Sequence, residues 1–340
     1  MSDRLVTIII PTKNQHRKLH GTLNYYHKNR FRGHIVIADY STGRSINAVR
    51  KVYDKWTTSL HVTFTHCDNA KHEGAVIQSV LNYITTPYVL SCDENDQVIL
   101  KGLSKCVVFL DMNRKYVAAS GTKCVVTQHG ATEGIHYIPC LNLDTPYIKE
   151  RLSSYLRTRL SVLHYLHRTE VWKEMFRYAH LTPHKWIGAE VLPCAISVMK
   201  GGICDVLRAS PYKAIFKREE TPVRQKLSDF ASEDYAKSMK ILRSVILKHL
   251  VEGGMTRTEA RKLFERELWL SILMFLMYKF TEQYPHLKAS LDSYSAVLET
   301  YPFMWRRSQL TSSLTQEPDL LRLFKKEKKK YGRSDPFTSE

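Results

Sequence analysis

The sequence predicts an α/β fold, a mostly parallel sheet flanked by helices, followed by an all-α C-terminal region. From residue 4 to about 125, short apolar runs rich in β-branched residues alternate with helical stretches, the rhythm of a parallel sheet with crossover helices. The clearest of these runs end in polar or acidic residues, at Pro11-Thr12, Asp39 and Cys92-Asp93. After Pro222 the β-rich runs stop and the chain reads as nearly all helix.

Each element has its own signal. Leu5 to Ile10 is an unbroken apolar run, as expected of a strand buried on both faces. A helix is predicted over 16–29, a strand over His34 to Ala38, a helix over 44–56 and a strand over Leu60 to Phe64. A helix over 70–84 and a strand over Tyr88 to Ser91 complete the series. Residues 105–145 read as further strands and loops, and 146–200 as helices around apolar Leu, Trp and Val positions. Thr256-x-x-Glu259 has the form of a capping box ahead of a long helix that stops near Pro285. The expected division is an α/β domain over 1–222, a helical region over 223–333 and a frayed tail over 334–340.

At 340 residues and 43% apolar composition the chain can bury a substantial core. Its seven cysteines (67, 92, 106, 124, 140, 194 and 204) stand singly, without C-x-x-C pairs, and read as reduced, mostly buried thiols. The opening apolar stretch before Pro11 is too short for a signal peptide. The run Leu268 to Tyr278 falls well short of the ~20 residues that span a bilayer and reads as a buried core helix. A cytoplasmic protein is expected. Net charge is +18, a field that attracts nucleotides, polyanions or acidic membrane surfaces alike. Residues 320–333 hold seven basic residues against one acid, with Leu320, Leu321, Leu323 and Phe324 at the start. Such a segment suits peripheral contact with an anionic membrane or a solvated terminal helix. No G-x-S-x-G, P-loop, G-x-G-x-x-G or zinc spacing is present, so hydrolase, kinase and dinucleotide readings lack support.

Two strand exits and a later acidic run carry the chemistry. VTIIIPTKNQHRKL, IVIADYSTG and YVLSCDENDQVIL together resemble the opening of family 2 glycosyltransferases. The resemblance implies a GT-A-like fold and a nucleotide-diphosphate-sugar donor bound by Pro11, Thr12, Lys13, Asn14, Asp39, Lys71, Asp93 and Glu94. In that family an acidic D-x-D-like run follows the strand. Here Glu94-Asn95-Asp96 stands in its place, which implies Mn²⁺ or Mg²⁺ held by Asp96 and Glu94. A hard divalent cation takes oxygen ligands and, as a Lewis acid, stabilises charge on a departing diphosphate. GAEVLPCAISVMKGGICDV is similar to the segment carrying the catalytic acid in a branch of these enzymes, and Glu190 is the matching residue. The resemblance implies an inverting transfer in which Glu190 takes the proton of the acceptor hydroxyl.

ERLSSYLRTRLSVLHYLHRTEVW resembles the acceptor region of the same branch, which makes His164, His167 and Arg168 candidates for acceptor or phosphate contact beside their plain reading as core and surface residues. The acceptor is expected to be a glycan or a lipid-linked glycan. Two alternatives stay open, a polyanion-binding protein and an inactive glycosyltransferase-like interaction module. Nucleic acid is not expected as the partner, because no recognised binding motif accompanies the charge. Oligomeric state is left undetermined.

Overall fold

The computed structural model describes residues 2–68, 70–129, 132–138, 141–158, 160–217 and 232–283. The basic segment 320–333, the tail 334–340 and Asn69 lie outside them.

The N-terminal half is built from β1 (Val6–Thr12), α1 (His16–Lys28), β2 (His34–Asp39), α2 (Arg44–Trp56), β3 (Val62–His66), α3 (Glu73–Ser79) and β4 (Tyr88–Ser91). β1 and β2 are buried along their whole length, as their uninterrupted apolar runs require. β1 pairs in parallel with β2 and β4, and β2 in parallel with β3. α3 is shorter than the expected 70–84. Its opening residue Glu73 is followed by Gly74, whose backbone is pressed against a distant turn described below.

The chain continues through β5 (Asp96–Val98), α4 (Leu100–Met112), β6 (Tyr116–His129), β7 (Thr132–Ile138), α5 (Ile148–Thr158), β8 (Leu166–Arg168), α6 (Thr169–Phe176), α7 (Leu192–Lys200) and β9 (Gly202–Lys217). α4 corrects the strand-and-loop expectation for the start of 105–145. Its Gly102, Leu103, Cys106, Val107 and Leu110 face the core at helical spacing. Among the described residues the sheet order is β3-β2-β1-β4-β8-β6-β9-β5, with β7 on β6. β8 joins the parallel half antiparallel to both β4 and β6. β9 runs parallel to β6 on one side and antiparallel to β5 on the other. The sheet is therefore mixed beyond β4.

α8 (Glu233–Glu252) and α9 (Arg257–Gln283) form the helical region. Ser232 caps α8 by accepting from Tyr235 N–H, and the capping box opens α9, with Thr256 N–H donating to Glu259 at 2.9 Å and Glu259 N–H to Thr256 Oγ1 at 3.3 Å. Leu242, Ile246, Leu250 and Phe264 belong to the same buried cluster as Ile9, Val36 and Trp172. The helices thus share one core with the sheet. Arg157 on α5 donates to both carboxylate oxygens of the buried Glu267 on α9, at 2.6 and 2.7 Å. Among the described residues no helix is long and apolar enough to cross a membrane. Cys67, Cys92, Cys106, Cys194 and Cys204 are free thiols.

Candidate functional site

Parallel pairing brings the C-terminal ends of β1, β2 and β4 to one edge, where open α/β sheets bind ligands. Thr12 lies in register with Asp39, and Cys92 N–H donates to the Ile9 carbonyl at 2.9 Å. Asn14, just beyond β1, has a left-handed backbone with φ 59, a conformation asparagine tolerates better than most residues. Its N–H donates to Ser41 Oγ at 2.7 Å, and its side-chain oxygen accepts from Thr42 N–H at 3.0 Å. The two strand exits are stitched together by these bonds.

Asp39 is fully buried. Its Oδ1 accepts from Ser41 N–H at 3.1 Å and Ser41 Oγ–H at 2.5 Å, and its Oδ2 lies 2.8 Å from His66 Nδ1. His66 Nε2 in turn meets Asp68 at 2.9 Å. Asp39 therefore organises the rim from beneath, and His66 and Ser41 are the groups it sets in place. Lys13 is exposed, with its ammonium 5.3 Å from the Tyr40 ring centre. Pro11 and Thr12 are buried, and Lys71 is exposed.

The acidic turn after β4 is anchored by α1. Thr22 Oγ1 donates to the Glu94 carbonyl at 2.7 Å and Tyr25 O–H to the Val98 carbonyl at 2.9 Å. Burial pushes the Glu94 carboxyl up to about 7, with Asp93 adding to it. Burial also opposes the charge of Asp93, but His164 and Lys213 outweigh it and hold that carboxyl below its ordinary value. Asp96 points the other way, into the protein. Its Oδ2 is 2.6 Å from Lys213 Nζ, with the lysine side chain at 0% and the aspartate side chain at 5% exposure. Burial lifts Asp96 to about 6 while Lys213 pulls it back, so the pair is ionic at neutral pH.

Glu190 sits in a π-helical turn, Ile187–Val191, that leads into α7. Such turns widen the backbone and are frequent at functional sites. Its carboxylate accepts hydrogen bonds from Ser161 and Trp186, and burial raises its pKa against those bonds and Lys123. The turn is packed directly on the start of α3. A Cβ on Gly74 would stand 2.4 Å from the Gly188 carbonyl oxygen, and one on Gly188 would stand 2.4 Å from Thr182 Oγ1. His72 Nε2–H donates to the Thr182 carbonyl at 2.7 Å, locking the same contact. Gly74→Ala should force the two backbones apart, costing about 1–3 kcal/mol of stability. Urea unfolding of the variant checks the loss.

The contact also delivers Glu73, which the sequence reading passed over. Burial pushes its carboxyl up to about 8, and Asp93, Glu94 and Glu190 all add to the shift. Glu73 is thus within electrostatic reach of both the acidic turn and Glu190. Its Oε1, together with Thr12 Oγ1 and Ser91 Oγ, is buried without a hydrogen-bond partner, an uncommon state for polar atoms in a folded protein. All three belong to the same sheet edge. A raised carboxyl binds more protons folded than unfolded, so its stabilising effect is complete below the unfolded value of 4.5 and is lost as pH rises through about 8. Glu73→Gln removes that loss. The variant should gain thermal stability over the wild type above about pH 8 and match it near pH 4.5, as melting curves across that range would record.

His164 is drawn into the site, its Nδ1–H donating to the Ser91 carbonyl at 3.2 Å. His167 and Arg168 are committed elsewhere. His167 is buried between the Tyr165 carbonyl at 2.8 Å and Ser197 Oγ at 3.0 Å, and Arg168 donates to the carbonyls of Tyr116 and Leu110. Both hold β8 and its neighbours together.

Of the two residues expected to hold a divalent ion, Glu94 and Asp96, the second is engaged by a lysine. Among the described residues no group of three or more Asp, Glu, His or Cys side chains is disposed to hold one, and one oxygen of Asp96 is already taken by an ammonium. A magnesium or manganese ion is commonly held by one or two carboxylates together with the phosphates of its substrate, and here Asp96 already shares its carboxylate with Lys213.

No protein-family model matches the sequence, and no curated protein matches it. Solved structures do resemble it. The 1–349 portion of S. aureus TarS superposes with a TM-score of 0.51 at 14% identity, over 79% of this chain and 72% of that one. The same portion in complex with UDP gives 0.50 at 15% identity, over 77% and 70%. The chain spans 42% of the longer TarS structure. The likeness shows a shared α/β fold.

Proposed function

We propose that this chain is a glycosyltransferase that takes its sugar from a nucleoside-diphosphate donor. The observation that carries the reading is the electrostatic coupling of Glu73 to both the 93–96 turn and Glu190 at the C-terminal edge of the parallel strands. The nucleotide would lie over the β1 and β2 exits, against Thr12, Asn14 and the Ser41–Asp39–His66 set, with Lys13 and Lys71 at the open rim. One structure matched in fold holds UDP, which makes UDP the first nucleotide to try.

Transfer proceeds with inversion in this reading. The acceptor oxygen attacks the anomeric carbon, the bond from that carbon to the diphosphate breaks, and the diphosphate leaves with the electron pair. The acceptor's proton passes to Glu190. A base with a raised pKa is matched to that task near neutral pH. The acceptor is a hydroxyl of a glycan or a lipid-linked glycan, approaching from the side of α5 and α8. There Trp186, Tyr235 and Tyr155 line a small cleft with Glu190.

Thermal stabilisation by UDP, GDP and CMP tests the donor site, since a ligand that binds the folded state raises its midpoint. A shift confined to one nucleotide supports the proposal. Indifference to all three, alongside salt-sensitive binding of a polyanion such as heparin, would favour the polyanion-binding alternative that the net charge of +18 keeps open.

A further inference from the structure

We propose that Lys213 takes the place of the divalent cation at the acidic turn, so that the donor diphosphate is bound without a metal. The inference deepens the donor-site reading above and rests on it.

The position is set by sheet topology. β9 lies between β6 and β5, so Lys213 is in register with Lys123 on one neighbour and Val98 on the other. This places the Lys213 ammonium at Asp96, within electrostatic reach of Asp93 and Cys92. A lysine ammonium has three N–H donors. Beyond the Asp96 contact, no acceptor among the described residues satisfies the others. In a buried setting such a charge acts with little screening from solvent.

A second ammonium stands beside it. Lys123 is 4% exposed and its Nζ lies 4.6 Å from the Tyr165 ring centre. Two buried positive charges on adjacent strands, behind a turn carrying Asp93, Glu94 and Asp96, supply what a cleft of carboxylates otherwise lacks when a diphosphate enters. The same arrangement occupies Asp96, the first metal ligand that the family resemblance implies. Lys213 is a positioning residue here, since its ammonium acts through Asp96 and through its field.

Metal uptake tests the idea on the full chain. Free Mn²⁺ is followed by its electron paramagnetic resonance signal, with and without UDP, while the UDP-induced melting shift is measured in EDTA and in Mn²⁺. The wild type should leave the Mn²⁺ signal unchanged without UDP and equal to that of a protein-free UDP and Mn²⁺ control with it, and the UDP melting shift should be equal in the two buffers. Lys213→Met should take up about one Mn²⁺ per chain through the freed Asp96 carboxylate together with Asp93, which lies within its electrostatic reach, Lys213→Arg should not, and adding Asp96→Asn to Lys213→Met should abolish the uptake. Stoichiometric Mn²⁺ uptake by the wild type, or a UDP shift that needs Mn²⁺, overturns the proposal. Should Lys213→Met fail to melt cooperatively, the wild-type arms decide alone. Absence of any nucleotide shift in both buffers counts against the donor-site reading, and the Mn²⁺ uptake without nucleotide still judges the lysine.

Discussion

Glu190→Gln should lower turnover about 10²–10⁴-fold, the usual contribution of a positioned general base, while the melting shift produced by the donor nucleotide stays that of the wild type. Glutamine is isosteric with glutamate and can keep partners in Ser161 and Trp186, which hydrogen-bond the carboxylate, but it cannot accept the acceptor's proton. The pH profile separates this role from a structural one. In the proposed role Glu190 works deprotonated, and burial raises its pKa, so wild-type turnover should climb with pH through a midpoint above the ordinary carboxylate value. Residual turnover of the variant should lack that limb. Undiminished turnover in Glu190→Gln would shift attention to Glu73, the neighbouring carboxyl lifted to about 8.

Asp96→Ala should be the most destabilising single change at the site, by about 3–5 kcal/mol, the cost of leaving one member of a buried ion pair uncompensated. The stranded charge is Lys213, with no exposed side-chain surface and no second acceptor among the described residues. Asp96→Asn combined with Lys213→Met removes both charges together and should restore most of the loss, because a neutral pair has no desolvated charge to offset. Urea denaturation of the wild type, Asp96→Asn, Lys213→Met and the double variant closes the cycle, with Asp96→Ala measured beside it. An Asp96→Ala chain as stable as the wild type would mean that the ammonium finds another partner.

The N-terminal half was legible almost residue by residue. α2 and β4 fall on the expected 44–56 and Tyr88 to Ser91, because strands buried on both faces and the helices between them leave unmistakable runs. α4 was not legible. Its Cys106-Val107-Val108-Phe109-Leu110 is a short apolar run that periodicity alone cannot assign to helix or strand. At the candidate site, Asp93, Glu94 and Glu190 were singled out through resemblance to a family. Glu73 and Lys213 were missed for opposite physical reasons. A glutamate at a helix start is ordinarily a solvated first-turn acid, and its burial here comes from the close approach of Gly74 to Gly188. A lysine in a long β run ordinarily faces water. Only pairing between strands more than a hundred residues apart turns Lys213 onto Asp96. His167 and Arg168 illustrate the converse, polar residues whose chemistry is absorbed by neighbouring backbone and hydroxyl groups.

The place of β9 has a consequence for how the molecule comes into being. It is the last strand in the described chain, yet it lies inside the sheet, and β5 has its partner only in β9. On a ribosome, the carboxylates at 93–96 emerge long before the lysine that answers them. Until residue 213 is made and threaded into place, a nascent chain has the first strands of its sheet but no counter-charge for Asp96. Closing so distant a contact is slow relative to local helix formation. Assembly of the cleft therefore coincides with the late steps of folding, and a ribosome stalled ahead of β9 would display a sheet without a finished pocket.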